Sequence, residues 1–190
     1  MREARAGLVN CAEPEEPVAT PAKKRAVAGK GGKANIVLAR LDYRLLHGQV
    51  VFSWVNSVAA QRIIVVDDAA NDEIKKGALK LAKPAGVYLN VYTVEKALSK
   101  MEKLNTLGEN VMFVFGNVHE MLEFLTSYKL PEVNFGAAAN HDGAEPVGGK
   151  DSSVFLDVAE KADAQKIIDL GVKVYEQQTP TQPRTDITSF

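Results

Sequence analysis

Three side chains in one short stretch can do chemistry: Asp42, Arg44 and His47, in Asp42-Tyr43-Arg44-Leu45-Leu46-His47-Gly48-Gln49. A histidine is a nitrogen nucleophile near neutral pH, able to attack a phosphoryl group and hold it. Arg44, three residues earlier, offers a planar fork of donors that matches phosphoryl oxygens. Gly48 lets backbone approach without a Cβ in the way, and Gln49 adds an amide donor. Asp42 can orient the second ring nitrogen of His47 or pair with Arg44, and the residues alone do not choose. Equally, a histidine in a loop is often only a solvated or capping residue.

The flanking sequence says how these groups are carried. Ile36-Val37-Leu38-Ala39 is a short apolar run that reads as a buried strand. Val50 to Val55 opens an amphipathic helix, so the polar turn lies between a strand's carboxyl end and a helix N terminus. In open parallel α/β sheets ligands bind at such turns, and free N–H groups at a helix start attract anions. Backbone N–H groups from Leu45, Leu46, His47 and Gly48 are then candidates to hold phosphoryl oxygens beside Arg44 and Gln49.

The string from Leu38 to Val50 closely resembles the active-site loop of the IIB component of the mannose/fructose/sorbose family of bacterial sugar phosphotransferase systems. The resemblance extends to Trp54, Arg62–Asp68, Asn71-Asp72-Glu73, Val133–Gly136, Leu170–Val174 and Gln177–Pro180, covering roughly 35–183. It implies a phosphocarrier in which His47 takes a phosphoryl group, on Nδ1, from a IIA protein or domain. The group then passes to a sugar delivered by membrane components IIC and IID. It further implies supporting roles for Asp42, Arg40 and Asp68, no metal or other cofactor, and a cytoplasmic protein that meets the membrane through its transporter, with self-association among the possibilities. Where the family often carries a second acidic residue, this chain has Tyr43.

Composition sets the limits. With 190 residues, 46% hydrophobic and 25% charged, the chain suits one globular domain. A net charge of −1 gives no electrostatic case for nucleic acid. The single cysteine, Cys11, allows no disulfide within the chain, and no apolar run approaches a membrane span. Residues 1–34, rich in Pro, Ala, Lys and Gly, read as a disordered extension or linker, leaving 35–190 as the domain.

From Asn35 onward strands and helices alternate. Strands are expected at 36–39, 63–66, 87–92, 111–115, 133–135, 154–156 and 172–175. Helices are expected at 49–59, 72–81, 94–104, 118–127 and 159–170. The pattern predicts an open, mostly parallel seven-stranded α/β sheet with helices on both faces, Rossmann-like.

Other candidates are weaker. Asp67-Asp68 closes the second strand and can border the His47 pocket, cap a helix or bind a cation. His119 and His141 read as surface histidines, with no partner residues at metal spacing in the sequence. Trp54, Phe52 and Val55, at helical spacing, read as packing. Transfer between two histidines needs an accessible loop, so an open site with an apolar rim is expected around His47. Two other readings use the same residues: a module that binds a phosphorylated ligand without reaction, or a magnesium-dependent domain working through Asp67 and Asp68.

Overall fold

The computed structural model describes residues 32–149 and 151–190; most of the expected N-terminal extension lies outside the described residues. Within that part the chain runs β1 (Asn35–Asp42), α1 (Gly48–Ser57), β2 (Arg62–Val66), α2 (Glu73–Ala82), β3 (Tyr88–Tyr92), α3 (Val94–Leu104) and β4 (Asn110–Phe115). It continues with α4 (Val118–Ser127), β5 (Glu132–Ala137), β6 (Glu145–Pro146), β7 (Phe155–Leu156), α5 (Val158–Asp169), β8 (Lys173–Glu176) and β9 (Thr185–Ile187). Ala34, just ahead of β1, is already buried in the core.

The main sheet has seven strands in the order β3-β2-β4-β1-β5-β8-β9, and all pairs are parallel except the last. This is the expected architecture with one strand exchanged. The 154–156 segment does not enter the sheet: β7 pairs antiparallel with β6, and Val154 only bridges to Ala138. The seventh place goes to β9, whose Thr185-Asp186-Ile187 lacks an apolar run because an edge strand has little to bury.

Strand alternation divides the core in two. Ile64, Val66, Phe113 and Phe115 pack towards α3, α4 and α5, whereas Ile63, Val65, Met112 and Val114 pack towards α1 and α2. Right-handed crossovers explain the division. Connections leaving β1 for β2 and β3 lie on one face, and those returning to β4, β5 and β8 lie on the other. In β1, Ala39 and Leu41 face the α3–α5 side, and Leu38 faces the α1 side. Arg40 and Asp42 continue the face of Leu38, so two charges stand where the pattern calls for apolar filling.

Four of the five helices begin on a side-chain cap. Asp72 accepts from Ile74 and Lys75 N–H, Thr93 from Lys96, Asn117 from Glu120 and Asp157 from Glu160. Helix α1 begins on His47, whose side chain makes no cap bond, and no acidic residue stands in its first turn. No described helix is long and apolar enough to cross a membrane.

Candidate active site

Asp42 ends β1, and the chain then turns tightly. Leu45 N–H donates to Asp42 C=O (2.9 Å), Tyr43 N–H donates to Ala137 C=O (3.2 Å), and Leu45 takes a left-handed φ of 57°. That conformation costs a branched residue roughly 1–2 kcal/mol. It reverses the chain so that Leu46 buries its side chain while Tyr43 and His47 face solvent. Gly48 follows with φ 43° in open space, so glycine serves conformation rather than clearance there.

The carboxylate of Asp42 settles its own role. Oδ1 accepts from the Arg44 backbone N–H (3.2 Å) and Nε (3.1 Å), and Oδ2 from Arg44 Nη2 (3.4 Å). Oδ2 also accepts from Arg40 Nη2 (2.8 Å) and Nε (3.3 Å). Asp42 therefore holds Arg44, the alternative that orients His47 being left aside. Arg44 is half-buried, with Tyr43 5.6 Å from its guanidinium.

Behind this pair the support is deep. Arg40 and Asp42 are each 1% exposed. Arg40 Nη1 donates to Asn134 Oδ1 (2.6 Å) and to Gln177 C=O (3.1 Å), which also accepts from Asn134 Nδ2 (3.0 Å). Trp54 lies 5.7 Å from the guanidinium and donates its indole N–H to Gln178 C=O (3.0 Å). Burial pushes the Arg40 pKa down while Asp42 opposes the shift. A Cβ at Gly136 would overlap the guanidinium of Arg40, so β5 must carry glycine at that point.

The structure therefore brings Arg40, Asp42, Arg44 and the Leu45–Gly48 backbone together. The Gln49 side chain lies outside the described part. Asp68 is engaged elsewhere: its Oδ1 accepts from Val94 N–H at the start of α3 (3.2 Å), and its N–H donates to Glu120 (3.2 Å). Asp67 accepts from Ala70 N–H (2.5 Å). The acidic pair thus serves turn and helix starts. Phe52 departs from the packing expectation: it is 45% exposed and Tyr43 is 49% exposed, whereas Trp54 and Val55 are buried. Asn134, Gly136 and Gln177 were given no role by the sequence, although a glycine and an asparagine inside an apolar strand were the available signal.

Tertiary structure also assembles a group that sequence spacing did not show. One ligand atom each from His141, Asp157 and Glu160 lies within 4.8 Å of the others. Both carboxylates are already used in the capping box of α5, and Glu160 pushes the pKa of His141 up through a 3.2 Å hydrogen bond. His119 pairs with Asp163 across α4 and α5 (2.9 Å).

The model of the "PTS system sorbose subfamily IIB component" family matches residues 36–190. The sorbose-specific EIIB component of Klebsiella pneumoniae is 32% identical over 154 residues, 80% of this chain and 92% of that protein. The mannose-specific EIIAB component of Escherichia coli K12 is 31% identical over 167 residues, and this chain spans 50% of its length. Among solved structures, the IIBSor domain of the Klebsiella pneumoniae sorbose permease superposes with a TM-score of 0.72 at 31% identity, covering 81% of this chain and 94% of that one. The N-acetylgalactosamine-specific IIB component 1 of Escherichia coli gives 0.74 at 26% identity, covering 80% and 99%.

Two measurements follow from this geometry. Gly136→Ala should lower the urea stability by about 1–3 kcal/mol through overpacking, and Arg40→Lys in the same chain should recover part of it; an unchanged midpoint in the single variant would show that Arg40 is not confined there. Glu120 has a buried, unpartnered Oε2, and burial together with Asp67 and Asp68 raises its pKa above 4.5. The folded state therefore favours the protonated form, and its stability falls as pH rises through that raised value. Glu120→Gln should raise Tm by about 2–4 °C at pH 7. The gain should fade as pH falls through that raised value and be absent below 4.5, and a gain independent of pH would count against this account.

A match over nearly all of the described chain, the shared fold and the loop carrying His47 lead to one conclusion: the chain belongs to the sorbose-subfamily IIB components, phosphocarrier proteins of sugar phosphotransferase systems.

Proposed function

We propose that His47 is the residue that carries the phosphoryl group, and that Arg44 with the backbone N–H groups of Leu46 to Gln49 holds its oxygens, the Leu45 N–H being engaged by the Asp42 carbonyl. The observation that carries this reading is the start of α1. His47 occupies the cap position yet caps nothing, and no carboxylate competes for the first turn. Unused N–H donors and the positive helix end suit a dianionic group on that ring. Arg44 is held by Asp42, so one guanidinium is placed in the turn without a metal.

In the first step a ring nitrogen of His47 attacks the phosphorus of a phosphohistidine on IIA. The N–P bond of the donor breaks as the new one forms, and the donor imidazole leaves. In the second step a sugar hydroxyl attacks phosphorus, the N–P bond to His47 breaks, and the hydroxyl proton is released to solvent or a base. Relatives named for sorbose, mannose, fructose and N-acetylgalactosamine support an acceptor among hexoses and N-acetylhexosamines. We assign delivery of that sugar to IIC and IID, with this chain at the cytoplasmic side of the transporter. The EIIAB relative, whose name joins both components, supports IIA as the donor. The exposed rings of Tyr43 and Phe52 beside the loop form the apolar rim against which IIA docks.

Incubation with phosphorylated IIA should label the protein with a phosphoryl group that is lost in acid and survives alkali. His47→Ala should abolish labelling by at least ~10³-fold, and Arg44→Ala should slow it by roughly 10²-fold with the fold intact. Full labelling of the His47 variant would refute the assignment. Phe52→Ser should raise the KM for IIA by roughly 5–30-fold with kcat unchanged; an unaltered KM would place IIA elsewhere.

A further inference from the structure

Helix α2 carries its amphipathic pattern the wrong way round for a helix packed on a sheet. Only Leu79 is buried, while Ile74 and Leu81 are 87% and 90% exposed. At 100° per residue Ile74, Gly77, Ala78 and Leu81 form one stripe, and Leu79 lies about 150° away from its centre. The apolar stripe thus faces solvent, and Glu73, Lys75 and Lys80 flank it. A scattered exposed leucine is ordinary; two nearly bare aliphatic side chains on one helical stripe mark an interface.

The stripe reads the same in both directions: large Ile74, small Gly77, small Ala78, large Leu81. A two-fold axis midway between 77 and 78 would set Ile74 of one copy against Leu81 of the other. Two small residues then sit where the helices cross, allowing close approach. Beyond the glycine's chain neighbours and the helix's own backbone, nothing lies within 4 Å of where a Cβ at Gly77 would stand, so the crossing is unobstructed. Charge fits the same operation. Glu73 and Lys80 both lie about 90–110° from the stripe centre on the same flank. The rotation brings Glu73 of one copy to within about 3 Å, along the axis, of Lys80 of the other, and does so twice. The two helix dipoles run antiparallel.

We propose that two copies of this chain associate through α2 as an antiparallel helix pair, centred on Gly77 and Ala78. A stripe about 11 Å long on one helix face buries much less than the ~800 Å² per partner of a standard stable interface. The association is therefore weak and concentration-dependent. An anionic bilayer is the other surface that suits an apolar stripe with lysines. The pairing is favoured because Glu73, repelled by anionic headgroups, is matched by Lys80 in the dimer.

Sedimentation velocity of the full chain from about 10 μM to about 1 mM should show a reversible monomer–dimer equilibrium. Leu81→Glu should weaken it by at least ~10-fold without changing the circular dichroism or phosphorylation by IIA. Glu73→Lys should weaken it as well, and adding Lys80→Glu in the same chain should restore it, since both ion pairs reform in reverse. In a Cys11→Ser background, Ala78→Cys should cross-link to itself on mild oxidation, whereas Glu73→Cys, whose two copies lie about 13 Å apart along the axis, should not. A monomer throughout the range, or a dimer indifferent to Leu81→Glu, would overturn the proposal. So would a monomer that sediments with phosphatidylglycerol vesicles in a Leu81-dependent way, which would assign the stripe to the bilayer. None of these readings depends on which residue carries the phosphoryl group.

Discussion

The ion pair between Arg40 and Asp42 is the constraint on which the site rests. Both residues point to the same face of the central strand, and both are almost wholly removed from water. Burying two charges costs several kcal/mol per ion, offset only when geometry is good and the remaining donors are satisfied. Here they are satisfied by a set that reaches across the fold: Asn134 and Gln177 on the Arg40 side, Arg44 on the Asp42 side, and the face of Trp54. Each partner places a demand on another segment. Gly136 must lack a side chain so that the guanidinium fits, and the 177–178 carbonyls must lie where Arg40 and Trp54 can donate to them. Two arginines around one carboxylate leave a net positive charge behind the loop, which suits the phosphoryl-holding role proposed for it.

From that anchor the loop is built outward. The left-handed turn at Leu45 is held by the bond to Asp42, the Tyr43 link to Ala137 and the burial of Leu46. Strain of this kind persists only where surrounding structure over-determines it. Its result is a histidine projecting into solvent from a fixed backbone, at the one α-helix start among the described residues that its own cap residue leaves open. The helices that begin at Asp72, Thr93, Asn117 and Asp157 spend those N–H groups on their own side chains. Carboxylates at the same edge follow that second pattern. Asp67 and Asp68 hold turns and helix starts, and Glu120 is left with an unpartnered oxygen beside them.

The topology also decides what each face can offer a partner. Helices α1 and α2 share one face of the sheet, and only α1 packs deeply, through Val51, Trp54 and Val55. Its outer side carries Phe52, in the helix that follows the His47 loop, whereas α2 turns an apolar stripe outward. The chain thus separates two kinds of recognition. The one proposed around His47 must be transient for a phosphoryl group to move on; the one proposed for α2 lies along a different helix.

Much was legible from local pattern. Apolar runs such as 111–115 gave the buried strands, and the short stretch of Asp42, Arg44 and His47 lay between a strand and a helix. These features act within a turn or a strand, where neighbouring residues decide conformation. What eluded local reading was long-range or weakly patterned. The strand at 185–187 is polar because it is an edge, and the 154–156 run was apolar for a ribbon outside the sheet. The choice of Asp42 for Arg44 and the engagement of Asp68 at α3 depend on distances that no spacing encodes. By itself the sequence determined the alternating α/β class and the family, and it set Asp42, Arg44 and His47 in one short stretch. Only the tertiary structure decided which groups hold that loop, because Arg40 finds its partners 94 and 137 residues further along the chain, brought beside it by parallel pairing of β1 with β5 and of β5 with β8.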